Sequence, residues 1–176
     1  MSRLRFLVLV FLVSCTSSKV MIDYDENVNF SNFKTYQFYE DVGEGLNDLD
    51  IKRVTNAITF ELKKREIQES ENPDFYINVV TKTTEVQNNN TIGIGIGNVG
   101  RNGGIGISGG IPIGGKKLNE EFSIEFVNAK SNSLFWQGTI NSKINEKRKP
   151  EEKEKHYKTI VSKILEKYLI KQKSSN

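Results

Sequence analysis

The sequence has little of the chemistry from which most active sites are built. Among its 176 residues it contains one cysteine, one histidine and one tryptophan. A single cysteine excludes an intrachain disulfide framework. Metal centres need several His, Cys or carboxylate ligands that converge, whereas His156 stands alone among lysines and glutamates. We therefore predict that His156 is a solvated surface residue, that no metal or cofactor is bound, and that the protein is not an enzyme.

The sequence also lacks a hydrophobic run long enough to cross a membrane. The run from Phe6 to Val13 has eight residues, whereas a transmembrane helix needs about 20. Arg3 and Arg5 precede it, and a positive start followed by a short apolar core is typical of a secretory signal peptide. The next residues, Leu12-Val13-Ser14-Cys15, resemble the lipobox at which bacterial lipoprotein precursors are cut before a lipid-modified cysteine.

The lipobox predicts how the chain is divided and where it resides. Residues 1–14 are the signal peptide, Cys15 is the lipid attachment site, and residues 15–21 form a lipidated tether. Acyl chains such as palmitate on this cysteine anchor the chain firmly, because about two chains suffice for stable membrane binding. Thr16, in place of an aspartate, favours the outer membrane facing the periplasm. The alternative is an unmodified thiol within an ordinary signal peptide.

The net charge of the mature chain is close to zero. Cleavage removes two of the 25 basic residues and leaves 23 against 22 acidic ones, a difference of +1. This balance gives no electrostatic footprint for nucleic acid. We therefore expect the membrane, through Cys15, and a possible envelope protein as partners.

Residues 91–115 hold 11 of the 14 glycines and match two nucleotide-binding motifs only superficially. Gly95 to Gly100 fits G-x-G-x-x-G, and Gly110 to Lys117 nearly fits the P-loop. Both motifs require a helix to follow. More glycine follows the first match, and no helix signal follows the second. We therefore predict no nucleotide site.

The pattern of this segment better predicts a hairpin with glycines on one face. Asn102-Gly103 is a strong signal for a two-residue type I′ turn. That register places seven isoleucines on one face, which forms a possible interaction surface. They are Ile92, Ile94, Ile96, Ile105, Ile107, Ile111 and Ile113. Three interpretations stay open: the ribbon covers the domain's own core or extends its sheet, it is a mobile loop, or it contacts a partner or membrane.

Hydrophobic periodicity predicts the rest of the mature chain, residues 22–172, to be one α+β domain. Alternating segments predict strands around residues 29–40, 74–86, 120–129 and 133–142, with Leu134, Trp136 and Ile140 on one face of the last. Apolar stripes predict a helix that starts at Asn47 or Asp48 and another from Pro150 to about Lys171. The order is β-α-β-(Gly-rich hairpin)-β-β-α. It predicts two layers, a mainly antiparallel sheet with both helices packed on one face.

Several short motifs together resemble one bacterial lipoprotein family, named domain of unknown function 4136. They are the lipobox, "YDENVNFSNFKTYQF", "NPDFYINV", the hairpin "FSIEFVNAKSNSLFWQGTI" and a closing amphipathic helix. The resemblance covers nearly the whole mature chain, and the hairpin is its most specific part. It implies an envelope lipoprotein with an α+β domain. It implies no activity and no catalytic residues.

The sequence therefore predicts a non-enzymatic lipoprotein of the cell envelope that acts as an interaction or structural module. The alternative is a small-ligand-binding periplasmic lipoprotein whose pocket lies between the sheet and the helices near Trp136. A binding pocket would be concave and apolar with a few converging polar groups, whereas an interaction module would expose a contact patch.

Overall fold

The computed structural model describes residues 19–86 and 116–174, which form one mixed six-stranded sheet and two α-helices. The helices are α1, Asp48–Lys63, and α2, Pro150–Ser174; a short 3-10 helix spans Phe30–Asn32. The strands are β1 Val20–Tyr24, β2 Thr35–Phe38, β3 Gln68–Glu69, β4 Phe75–Glu85, β5 Lys117–Asn128 and β6 Leu134–Asn145. The predicted signal peptide, Cys15 and the Gly/Ile-rich residues 91–115 lie outside the described residues.

The strand order in the sheet is β1-β6-β5-β4-β2-β3. The pairs β1–β6, β6–β5 and β5–β4 are antiparallel, whereas β2 runs parallel to both β4 and β3. The predicted α+β class is thus confirmed. The predicted order lacked the two edge strands: β3 has two residues, and β1 begins at Val20, inside the range predicted as tether.

Both helices form where local sequence favours them and bury one stripe each. Asn47 caps α1, because its side-chain oxygen accepts a hydrogen bond from the Asp50 backbone N–H at 3.1 Å. Pro150 opens α2, where a missing N–H costs nothing. The stripes pack on the same face of the sheet; their buried members are Val54, Ala57, Ile58 and Leu62 in α1 and Tyr157, Ile160, Val161, Ile164, Leu165 and Tyr168 in α2.

Alternation along the long strands separates the core face from the opposite face. Residues that face the helices are fully buried: Phe75, Ile77 and Val79 of β4, Phe122, Ile124 and Phe126 of β5, and Trp136 and Ile140 of β6. The residues between them, such as Glu125 and Gln137, point to the other side of the sheet. We call that side the open face.

One part of the predicted β6 face is wrong, and a β-bulge explains it. The β5–β6 register shifts between Phe126 and Val127, which pair with Trp136 and Leu134 respectively. Phe135 is therefore the extra residue, and its side chain is buried beside that of Trp136. Leu134, predicted to share the face of Trp136, is 51% exposed instead.

Candidate functional site

The residues predicted from sequence to carry function do not come together in the described part of the chain. Cys15 and the seven isoleucines lie outside it. Trp136 belongs to the core: its ring centroid lies 4.8 Å from that of Phe126 and 5.2 Å from that of Tyr168. Gly138 provides the space for this ring, since a Cβ there would lie 2.7 Å from it.

A concavity of about 240 Å³ does touch Trp136, but no helix residue lines it. Its walls come from β1, β6 and the adjacent Asp25. The Trp136 ring therefore fills the core, and among the described residues this concavity is not the predicted pocket between the sheet and the helices.

The open face carries the first candidate site, a groove of about 350 Å³ that crosses four strands. Ser123, among its lining residues, is buried although neither helix lies on this face. The lining residues are Met21, Ile22 and Asp23 of β1, Val80 and Lys82 of β4, Glu121, Ser123 and Glu125 of β5, and Gln137 and Thr139 of β6. We call it the open-face groove.

Hydrogen bonds across the strands hold the polar side chains of the groove in place. Glu125 accepts from Asn78 Nδ2 at 3.0 Å and from Gln137 Nε2 at 3.3 Å. Ser123 Oγ and Thr139 Oγ1 lie 2.8 Å apart. The groove contains three carboxylates, those of Asp23, Glu121 and Glu125, against the single ammonium of Lys82. Its excess negative charge suits a basic ligand.

A second candidate site is a buried polar cluster where α1, α2 and β5 meet. Asp50, which is 3% exposed, accepts hydrogen bonds from Asn47 Nδ2 at 2.7 Å, Arg53 Nη1 at 2.6 Å and Lys153 Nζ at 2.7 Å. Burial alone would raise the pKa of Asp50, but these donors outweigh it and hold the pKa below its ordinary value. The carboxylate thus ties the start of α1 to α2.

Glu120 of β5 is the other buried acid of this cluster. It is 2% exposed, and His156 Nε2 contacts its Oε2 at 2.5 Å. Arg148 Nη2 and the Tyr157 hydroxyl approach Oε1 at 3.5 Å each. Burial, followed by the charge of Glu120, raises the pKa of Tyr157. The His156 side chain is only 17% exposed, so the prediction of a solvated histidine is wrong.

The sequence carried signals for both buried acids. Glu120 lies an even number of residues before Phe122, Ile124 and Phe126, so strand alternation places it on the core face. Asp50 precedes Val54 and Ala57 by four and seven residues, so helical periodicity places it on the buried stripe. Acids on the apolar face of a strand or helix predict buried carboxylates. Their cationic partners cannot be identified in this way, because they lie elsewhere in the sequence.

The described residues contain neither a metal-binding cluster nor a membrane-spanning helix. Residues 19–86 and 116–174 contain no group of three or more His, Cys, Asp or Glu side chains arranged to hold a metal ion. Neither α-helix, over the residues that the structure describes, is long and apolar enough to cross a membrane.

A family model described as "Domain of unknown function (DUF4136)" matches residues 20–168. The chain belongs to this family. The matched range runs from the first residue of β1 to Tyr168 of α2, so the DUF4136 domain includes both candidate sites. No curated protein matches the chain.

Solved structures share the DUF4136 fold at low sequence identity. A PDZ domain protein from Parabacteroides distasonis aligns with a TM-score of 0.55 and 17% identity over 86% of this chain. The chain spans only 35% of that protein's length. Two PelC dodecamer structures from Paraburkholderia phytofirmans align at a TM-score of 0.50, with 7% and 5% identity, over 85% of this chain and 95% and 96% of theirs. At these identities the likeness extends to the fold alone.

Proposed function

We propose that the protein is a cell-envelope lipoprotein, anchored through Cys15, whose domain binds a protein partner without catalysing a reaction. The observation that carries the proposal is the position of β1. It begins at Val20, only five residues after Cys15. Five extended residues reach about 17 Å at most, so the lipid would hold the sheet itself near the bilayer.

The direction of β1 determines which end of the domain would face the membrane. Val20 pairs with Ile140 and Tyr24 pairs with Trp136, so the chain before Val20 leads toward Asn145. Lys117 pairs with Asn145, and we call this edge the Lys117 end. From Ile140 to Asn145 is about 17 Å along a strand, which equals the reach of the tether. An anchored molecule would therefore keep its Lys117 end at the bilayer surface.

The Gly/Ile-rich segment connects to the domain at the same end. It follows β4, which ends at Glu85, and precedes β5, which begins at Lys117. The described residues that flank this connection, Val86 and Lys116, would then lie on the bilayer side of the domain.

The open-face groove is the surface that we assign to the protein partner. It is concave, its polar side chains are fixed by hydrogen bonds, and its acids outnumber its cations. We propose that the partner presents a basic segment to it. Outer-membrane location, facing the periplasm, follows from Thr16 and is part of this proposal.

Fractionation of cells that express the wild type and Cys15→Ser tests the anchor. We expect the wild type in the membrane fraction and the variant among soluble proteins or as an uncleaved precursor, because serine lacks the thiol that receives the diacylglyceryl group. Equal membrane association of a cleaved Cys15→Ser chain would contradict the anchor.

A photo-crosslinking residue at position 80 or 139 tests the open-face groove. Positions 155 and 166, exposed on α2, serve as matched controls. We expect one partner adduct from positions 80 and 139 that weakens as salt is raised, since exposed charge pairs are screened. The same adduct from the helix positions, or no adduct from the groove, would contradict this assignment.

A further inference from the structure

The outer side of β1 is an edge of the sheet. Within residues 19–86 and 116–174, β1 pairs with β6 alone, so no described strand lies on its other side. The opposite edge is β3, which has only two residues, both polar and exposed. Short and polar edge strands discourage pairing with other chains. β1 lacks this protection, because it has five residues and a single charged side chain, that of Asp23.

The backbone of β1 presents hydrogen-bonding groups on this outer side. The Asp25 N–H donates to the Phe135 carbonyl of β6 at 3.0 Å. Residues of an antiparallel ladder alternate in direction, so the backbone groups of Asp23 also point toward β6, whereas those of Ile22 point away from it. Asp23 Oδ1 accepts a hydrogen bond from the outward N–H of Tyr24 at 2.9 Å. The N–H and C=O of Ile22, at the centre of the edge, are therefore the groups that a further strand would engage.

The apolar side chains at this edge are incompletely covered. Met21 is 49% exposed and Ile22 is 39% exposed, and as consecutive strand residues they point to opposite faces of the sheet. The β6 residue opposite Ile22 is Gly138, which has no side chain to pack against it. One additional strand beside β1 would cover apolar surface on both faces.

Charges at the edge define the chemistry of that additional strand. Asp23 and Asp25 lie on the same face as Met21, because they are two and four residues further along the chain. Both acids are exposed, against one exposed cation, Lys19, which precedes β1 at its other end. Opposite charges across neighbouring strands are favourable, so the complementary strand has basic side chains on this face. On the other face it has apolar side chains, which pack on Ile22.

A second copy of this chain fits the edge less well than a segment of another protein. Two β1 strands related by a twofold axis would pair antiparallel, with Ile22 opposite its symmetry mate. The two Val20 residues, each five positions after Cys15, would then leave the pair at opposite ends. If one copy kept its Lys117 end at the bilayer, the other would point that end away from it. A segment of a partner protein has no such restriction.

We propose that β1 pairs, along its outer edge, with an extended segment of the partner protein in which basic and apolar residues alternate. The proposal rests on the proposed function, because it states how the basic partner of the open-face groove is held. Met21, Ile22 and Asp23 line that groove, so a strand added to β1 continues its wall. Backbone hydrogen bonds attach the segment, and the acids of the edge select its basic side chains.

The test uses the full mature chain in detergent and, as the probe, a synthetic peptide of alternating valine and lysine with both termini blocked. Hydrogen exchange followed by NMR reports the Ile22 amide, which points away from β6, and the Asp23 amide, which points toward it. We expect saturable binding that protects the Ile22 amide, whereas the Asp23 amide is protected with or without peptide. Binding that leaves the Ile22 amide unprotected, or no saturable binding, would overturn the proposal.

Ile22→Pro and Ile22→Ala separate the backbone from the side chain. Proline removes the outward N–H, which has no partner in β6, and edge strands accept proline at such positions. We expect Ile22→Pro to bind the valine–lysine peptide about fivefold more weakly than Ile22→Ala does, as for the loss of one hydrogen bond. Equal affinities in variants whose fold is intact by circular dichroism would contradict backbone pairing. If proline prevents folding, the exchange of the wild-type Ile22 amide decides.

Asp23→Asn tests the selection of basic side chains. Asparagine keeps the oxygen that accepts the Tyr24 N–H and removes the charge. We expect affinity for the valine–lysine peptide to fall about two- to fivefold, as for an exposed ion pair, and to depend less on salt. Glu166→Gln, which removes an exposed charge from α2, should leave affinity unchanged. Unchanged affinity in Asp23→Asn, or equal binding of an alternating valine–glutamate peptide, would contradict a basic partner segment.

The crosslinks from positions 80 and 139 distinguish this proposal from the proposed function. We expect the partner adduct to be lost in Ile22→Pro and kept in Ile22→Ala. An undiminished adduct in Ile22→Pro would overturn strand pairing and leave the groove as the binding surface, whereas no adduct in the wild type would contradict the proposed function itself. Sedimentation of the wild type without peptide should give a monomer. A dimer that Ile22→Pro dissociates would assign the edge to a second copy and overturn the proposal.

Discussion

Replacing Asp50 with alanine is expected to lower the free energy of unfolding by up to about 3–5 kcal/mol, because it removes a buried carboxylate on which two partly buried cations depend. Lys153 and Arg53 both depend on this carboxylate, at 2.7 and 2.6 Å. Asn47, the cap of α1, also loses its side-chain partner. Chemical denaturation followed by the fluorescence of the single tryptophan, Trp136, measures the change.

Asp48→Ala is the matched control for Asp50. Asp48 lies in the same first turn of α1 but is exposed, so its removal should cost about 0.3–1 kcal/mol through the helix dipole alone. A loss below about 1 kcal/mol in Asp50→Ala would show that the ion pairs contribute no more than exposed ones do.

The pH dependence of stability gives a second measure of Asp50. Its folded-state pKa lies below the ordinary value of 3.8, so the native state favours the ionised form. The contribution is therefore fully present above pH 3.8 and is lost as the pH falls through the depressed folded-state pKa. We expect the wild type to lose more stability than Asp50→Ala over this acid range. Parallel curves for the two proteins would contradict the assignment.

Replacing Trp136 with alanine is expected to cost about 3–5 kcal/mol, as for other large-to-small substitutions of buried aromatic residues. The ring is fully buried against Phe126 and Tyr168, with Gly138 beside it. The substitution opens a void that the surrounding helix and sheet cannot close. Circular dichroism during denaturation measures the effect, because this variant has no tryptophan.

Leu134→Ala is the control in the same strand. Leu134 is exposed, so its truncation should change stability by about 0.5 kcal/mol or less. The comparison separates the two roles considered for Trp136. A ligand platform would tolerate truncation with little loss of stability, whereas a core residue would not. A small effect in Trp136→Ala would favour the ligand-binding interpretation.

Local sequence signals were enough to predict the long strands and the two helices. The alternation in β4 and β5 gave the correct buried residues, and Asn47 and Pro150 gave the correct helix starts. These elements are predictable because each buries a full stripe or face of its own residues, and because caps act within one turn.

Features set by long-range pairing were not predictable in the same way. β1 and β3 are recognisable as strands only through their partners, since their exposed residues show no alternation. The bulge that buries Phe135 depends on the β5–β6 register. The polar cluster joins Asp50, Glu120 and Arg148 from three separate segments, and no local pattern brings these together.

The candidate sites likewise differ in whether a local motif or long-range pairing creates them. The lipobox is a local motif, and a single sequence is enough to propose it. The open-face groove arises from cross-strand neighbours, such as Glu125 with Asn78 and Gln137. Its polar residues look like ordinary strand residues until the register is known.

The lipid anchor is the central claim, and mass spectrometry of the N-terminal peptide from membrane-extracted protein tests it most directly. We expect a peptide that begins at Cys15 and carries the mass of a diacylglycerol group with or without a further acyl chain. A peptide that retains residues 1–14, or that contains Cys15 with no added lipid, would contradict it.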